Sequence, residues 1–340
     1  MRQTAKLTLF FVVLLAATAG QAFAQANFYE GKTIRIIVGL AAGGGYDVYA
    51  RTIARHMGKH LPGQPTISVE NMTGAGSLIA TNFLYKVARP DGLTMGHFIG
   101  GLFLQQLMGN PAVEFDGAKF GHVGVPIKDN FAVGVHKSTG ITDVHAWITS
   151  KKPVKFGGIA PGTGSDDVPK ILAATIGLPV QVVSGYKGTS ETRLAFSNGE
   201  VAASANAWES TKSTWRKELD SGDLKIVLQA TFKPHPELVN VPNAMNMVKT
   251  DEAKKLLSTV LKVHGPTVRP FVVPPGTPKD RVQMLRKAFM DTMKDPEFLA
   301  ECAKAKLTVD PDDGAELERN ILEVLKLEAS LLPKLKEILK

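Results

Sequence analysis

The apolar positions of this chain fall into short runs that alternate between two periods. Ile34-Arg35-Ile36-Ile37-Val38 is a β-branched run that reads as a buried strand, and Tyr49, Ile53, Ala54, Met57 and Leu61 then recur at helical spacing across residues 48–60. The pair repeats. Residues 65–70 are strand-like, and Leu78, Ile79, Phe83, Leu84 and Val87 mark a helix that ends before Pro90-Asp91-Gly92. A third strand at 93–98 precedes a helical run at 102–108. Each strand meets its helix at a glycine turn: Gly43-Gly44-Gly45-Tyr46-Asp47, then Gly74-Ala75-Gly76-Ser77, then Gly100-Gly101. Three strand–glycine–helix units imply a parallel sheet with all three turns at the C-terminal strand ends, where open α/β sheets bind ligands.

Around residues 120–128 the pattern breaks and a second set begins. Strands are predicted at 131–135, 155–159, 181–183, 201–205 and 225–229, and helices at 142–150 (capped by Thr142), at 166–176 and on to Gly199. From about Lys233 the chain is marked by prolines, followed by helical patterns at 251–263, 278–294, 296–305 and 312–331. The apolar run 271–273 is expected to return to the first sheet.

The first residues change the picture of where this chain works. Arg2 and Lys6 precede an apolar run over 7–17, and Ala22-Phe23-Ala24 has the small residues of a cleavage site, so residues 1–24 read as a signal peptide cut before Gln25. The run is short for a membrane span. The lone Cys302 offers no internal disulfide, and no cysteine near the cut suggests a lipid anchor. The net charge of +8, or +6 without Arg2 and Lys6, comes from scattered residues with no polybasic tract, so nucleic acid is not an expected partner. The length points to two domains.

The candidate chemistry is anion binding. A glycine turn opening a helix presents backbone N–H groups together with the positive end of the helix dipole, and Asp47 is placed to cap that helix. A second such turn, Gly162-Thr163-Gly164-Ser165, leads into Asp166-Asp167. Neither turn is a nucleotide motif: the first lacks G-x-G-x-x-G spacing, and Thr163 stands where a P-loop needs lysine. For catalysis the chain offers little. His56 and His60 are spaced i, i+4 but lack the glutamate of H-E-x-x-H, and Ser165 has neither a nucleophile elbow nor an assignable base. Asp166-Asp167 reads as helix capping rather than a metal pair, and Cys302 as a packed thiol. A secreted hydrolase is the competing reading, but no catalytic group stands out; no enzyme activity, metal or cofactor is expected.

Taken in order, Ile34-Arg35-Ile36-Ile37-Val38, Gly43-Gly44-Gly45-Tyr46-Asp47, Glu70-Asn71, Gly74-Ala75-Gly76, Pro90-Asp91-Gly92-Leu93-Thr94, Tyr186-Lys187-Gly188, Gly199-Glu200-Val201 and Pro274-Pro275-Gly276-Thr277-Pro278 resemble the Bug proteins, extracytoplasmic solute receptors of tripartite tricarboxylate transporters. The resemblance implies an α/β, two-lobed clamshell of the periplasmic-binding-protein type (type II-like). Two crossing segments would serve as its hinge, with lobe 1 from 25–125 and 235–340 and lobe 2 from 126–234. It implies a periplasmic monomer that closes on a small organic carboxylate and hands it to membrane transporter subunits, or alternatively feeds a sensor kinase. Its ligand loops fall on Gly43, Gly44, Gly45, Tyr46 and Asp47, on Gly74, Ala75, Gly76 and Ser77, and on Gly101. In the second lobe they fall on Thr163, Gly164, Ser165 and Asp166, and on Asn206 with Trp208 beside it. The chain departs from the family at Ala42, where proline is usual, at Tyr46, where a small hydroxyl residue is usual, and at Asp166, where histidine is common. Leu102-Phe103-Leu104, Tyr46 and Trp208, with Asp166 opposing a second carboxylate, lead to the expectation of a monocarboxylate with an apolar or aromatic body.

Overall fold

The structure, a computed structural model, describes residues 28–327 and 329–340. The expected signal peptide and its cut before Gln25 lie outside the described residues. β1 (Thr33–Val38) lies between β2 (Thr66–Asn71) and β3 (Thr94–His97) and runs parallel to both. Helices α1 (Gly45–Met57), α2 (Leu78–Lys86) and α3 (Leu102–Leu107) follow the three strands in turn. The six-stranded sheet is completed in the order β11-β4-β10-β3-β1-β2 by β4 (Gly121–Val125), β10 (Phe271–Val273) and the short β11 (Asp312–Asp313). Here β10 pairs antiparallel with both β3 and β4. β4 falls where the apolar pattern breaks, because Gly121 and Gly124 leave gaps that Val273 and Phe289 fill from neighbouring elements.

The second sheet has five strands in the order β7-β6-β8-β5-β9, from β5 (Phe131–His136), β6 (Val154–Gly157), β7 (Val180–Val183), β8 (Ala203–Ala207) and β9 (Leu224–Ala230). β6 is parallel to β7 and β8, while β5 is antiparallel to β8 and β9. Its helices are α4 (Val144–Ser150), α5 (Gly164–Ile176), α6 (Thr189–Ser197), α7 (Trp208–Thr214) and α8 (Arg216–Asp220). The cap of α4 is Asp143, one residue beyond the expected Thr142: its carboxylate accepts from the N–H groups of His145 and Ala146. Each sheet buries apolar side chains against its helices. Ile34, Ile36, Val38, Phe271 and Val273 pack with Tyr49, Ile53 and Phe289 in the first lobe. In the second, Val133, Val135, Ala205 and Leu228 pack with Val168, Ile171 and Leu172. Among the described residues no helix is long and apolar enough to cross a membrane.

The C-terminal third consists of α9 (Asp251–His264), α10 (Lys279–Thr292), α11 (Pro296–Ala305), α12 (Gly314–Val324) and α13 (Leu332–Leu339). The pattern at 312–331 is thus not one helix: Asp312 and Asp313 pair with β4 before α12 begins, and a further helix follows. Nor does 235–340 serve the first lobe alone. α9 lies against α5 of the second lobe, as does α13, whose last carbonyls, of Leu339 and Lys340, accept from Lys170 Nζ. The segment before α9 also stays with the second sheet, where the Gln229 N–H donates to Pro242 O. The chain therefore crosses between lobes at 126–130, again at 265–270, and once more after α12. The first two crossings touch, the Asp129 N–H donating to Gly265 O.

Candidate functional site

The glycine turns of both lobes face one another across the cleft. In the first, Gly43 takes a positive φ of 74°, and its N–H donates to Asp47 Oδ2 at 2.9 Å. Asp47 is the third residue of α1, so it reaches back over the helix start rather than standing at the cap, which is Gly44. Arg51 Nε and Asn71 Nδ2 also donate to the Asp47 carboxylate, which is buried and turned away from the cleft. Burial pushes this carboxyl up, but the donors from Arg51, Gly43 and Asn71 outweigh it and hold the group below its ordinary range. In the second turn Gly74, Ala75, Gly76 and Ser77 all have positive φ, a run that the two glycines make affordable.

These turns meet α5 and α6. A Cβ on Gly44 would lie 2.9 Å from Thr189 Oγ1, and one on Gly76 would lie 2.9 Å from Ala160 and 3.2 Å from Thr163. Gly101 fits against Gly162 O, 1.9 Å from where its own Cβ would be. Main-chain and hydroxyl bonds strap the lobes together: Ala41 N–H donates to Lys187 O at 2.9 Å, and Ser190 Oγ to Ala42 O at 3.1 Å.

Between the lobes is a cavity of ≈ 40 Å³, with room for a few waters in this closed form. Of the residues expected at the site, Tyr46, Thr163, Gly164, Ser165 and Asn206 line it, whereas Gly43, Gly44, Gly45, Asp47, Gly74, Ala75, Gly76, Ser77 and Gly101 do not. The cavity is also lined by residues that sequence reading missed: Asp129, Thr189, Ser210 and Arg269. Arg269 is the largest omission. It is fully buried, its Nε donates to Asp129 Oδ2 at 2.7 Å, and its Nη2 to Ser210 Oγ at 2.7 Å. Its guanidinium lies 4.6 Å and 5.0 Å from the ring centres of Tyr46 and Tyr49. Burial disfavours its charge, but Asp129, Tyr46 and Tyr49 together outweigh that, so Arg269 stays above its ordinary range. Burial pushes Asp129 up to about 6 despite the guanidinium. The signal available in the sequence was an arginine set in Val268-Arg269-Pro270 directly before an apolar strand.

Three expectations are corrected by this geometry. Asp166 does not face the cavity: its Oδ2 accepts from the Ile159 N–H at 2.6 Å and lies 2.9 Å from Thr163 Oγ1, while its Oδ1 accepts from Ser184 Oγ. A carboxylate with its lone pairs so occupied braces the turn and does not oppose a ligand. Trp208 points away, its Nε1–H donating to Glu237 Oε2 at 2.7 Å and its ring packing on Ala132 and Leu238. Leu102, Phe103 and Leu104 are core side chains. Of the grounds for a ligand with an apolar or aromatic body, Tyr46 alone remains at the cavity. Elsewhere, His56 and His60 contact Glu301 and Asp295 at 2.7 and 3.0 Å, and Lys59 Nζ lies 2.8 Å from Asp295, a polar network joining the end of α1 and the turn after it to α11 and its cap.

Comparison with known proteins agrees with this architecture. Residues 49–336 match the model of the tripartite tricarboxylate transporter family receptor. A curated relative, a UPF0065 protein in the gbd 5' region of Cupriavidus necator, is 26% identical over 337 residues, covering 94% of this chain and 93% of its own. Among solved structures, the periplasmic binding protein BugD superposes with a TM-score of 0.73 at 21% identity, covering 91% of this chain and 99% of its own. A Rhodopseudomonas palustris protein solved with adipate gives 0.73 at 19% identity, covering 91% and 97%. MatC from the same organism, with bound malate, gives 0.71 at 19%, covering 91% and 99%.

Proposed function

The chain belongs to the tripartite tricarboxylate transporter family of receptors, and from that premise we propose that it captures a small organic carboxylate between its lobes in the periplasm and delivers it to membrane transporter subunits. The observation that carries this reading is the meeting of the two lobes' glycine turns beside one cavity, lined by Tyr46 of α1 and by Thr163, Gly164 and Ser165 of the α5 turn. The first-turn N–H groups of a helix have no partner within it, and the dipole adds positive potential there, so two such starts suit an anion. The adipate and malate held by two structural neighbours support the same ligand chemistry. The family and fold are those of solute-binding receptors, and no step of catalysis is assigned. The proposed ligand contacts in the first lobe are the backbone of residues 43–46 and 74–77, and in the second Thr163, Ser165 and Asn206.

The test is a thermal-shift screen of the chain from residue 25 against mono-, di- and tricarboxylates. A ligand that binds only the folded form raises the melting temperature by mass action, about 2.7 kcal/mol of added stability at a hundredfold excess over Kd. A carboxylate that raises it and is recovered unchanged supports the receptor reading. Recovery of a converted product, or a panel with no shift at all, overturns it.

A further inference from the structure

Three buried polar atoms that make no hydrogen bond belong to side chains lining the cavity: Arg269 Nη1, Asn206 Nδ2 and Asp129 Oδ1. Each residue is more than nine-tenths buried. Buried polar groups are almost always partnered, so three orphans around one small space mark where partners arrive. The set has a definite chemistry: two N–H donors, one of them charged, and one carboxylate acceptor. Arg269 Nη1 also sits at the first-lobe glycine turn, 3.3 Å from where a Cβ on Gly45 would be. Its other nitrogens are committed to Asp129 and Ser210, and two tyrosine rings hold its plane, so the free donor is fixed in place before any ligand enters.

Resting on the receptor reading above, we propose that this is a specificity subsite for a carboxylate bearing a hydrogen-bond donor, a hydroxyl or ammonium, close to the acid group. The carboxylate accepts from Arg269 Nη1 and Asn206 Nδ2, and the neighbouring donor is taken by Asp129 Oδ1. A simple deoxy acid satisfies the two nitrogens but brings no donor for the Asp129 oxygen. A site built to bond a polar group rejects the analogue that lacks it, because its own partner is stranded. Because Asp129 and Arg269 stand on the first and second crossings between lobes, the subsite is read at the hinge itself.

The experiment is calorimetry of the chain from residue 25 with matched pairs: L-malate and L-aspartate against succinate, and L-lactate and L-alanine against propanoate. The expected result is that at least one hydroxy or amino acid binds ten times or more tighter than its deoxy partner. Asn206→Ala then weakens both members of that pair about tenfold. Since Asn206 Nδ2 bonds to nothing in the closed form, that variant keeps the melting temperature of the free protein. Asp129→Asn, with Arg269 left in place, narrows the difference within the pair. The relative response to the hydroxyl and amino members tells which donor is read. Equal affinities within every pair, or an Asn206→Ala variant that folds and binds undiminished, overturn the subsite while leaving the carboxylate receptor standing. Binding of none of the probes by a protein that still responds to other carboxylates overturns the subsite alone; silence to every carboxylate overturns both.

Discussion

Single residues do unlike work on the two sides of the first glycine turn. Asp47 looks like a ligand group in the sequence, yet its three donors make it the brace that sets the turn's shape. Asp47→Ala should cost about 2 kcal/mol of stability, read from urea denaturation, because the Gly43 N–H, Arg51 and Asn71 lose a charged acceptor. A change within a few tenths would mean the turn holds itself. His97 gives a second prediction. It is stacked on Phe271 at 4.1 Å and fully buried, and burial pushes its pKa down from 6.5 to about 3. The unfolded chain therefore binds a proton that the folded one refuses between those values. The stability is fully present above pH 6.5 and is lost as pH falls towards 3, at up to about 1.4 kcal/mol per pH unit. In His97→Phe that share of the acid sensitivity should vanish; parallel pH–stability curves for the two proteins would place it elsewhere.

At the scale of elements, the β-branched runs and the 3.6-residue spacing carried most of the first lobe, because β1 buries Ile34, Ile36, Ile37 and Val38 and α1 turns Tyr49, Ile53 and Met57 inward. β4 was illegible for the reason that makes it work: its glycines receive side chains from Val273 and Phe289, a tertiary fit with no local signature. The candidate site was half legible. Turn residues such as Tyr46 and Ser165 announce themselves through neighbouring glycines, whereas Arg269 and Asp129 stand 140 positions apart and meet only once the chain is folded. The last helix was hidden likewise, since its partner α5 lies far upstream. Leu335 and Leu339 of α13 are buried, and Lys170 binds its final carbonyls. Ending the chain at residue 327 should lower the melting temperature and raise binding of a hydrophobic dye by baring the face of α5. An unchanged melting temperature and no added dye binding would show that α13 is a passenger.

For the molecule as a whole, the turn that would hold the ligand also meets the other lobe. A valine at position 44 would meet Thr189 Oγ1, a contact made only when the lobes are together. Gly44→Val should therefore fold normally and fail to compact. In small-angle scattering the native protein should lose radius of gyration with a carboxylate that shifts its melting point, while the variant should not. Equal compaction in both would separate the glycine turn from closure.

The strap formed by Ala41 with Lys187 and by Ala42 with Ser190 includes no atom of the cavity lining. Whatever is enclosed, the same clasp must be undone before it leaves, so release has a lifetime of its own. In stopped-flow displacement, tight ligands of different structure should approach one common slow rate, and Ser190→Ala should speed them all by the same factor. If the ligand is handed on as proposed, that clasp would be the natural handle for the recipient to pull.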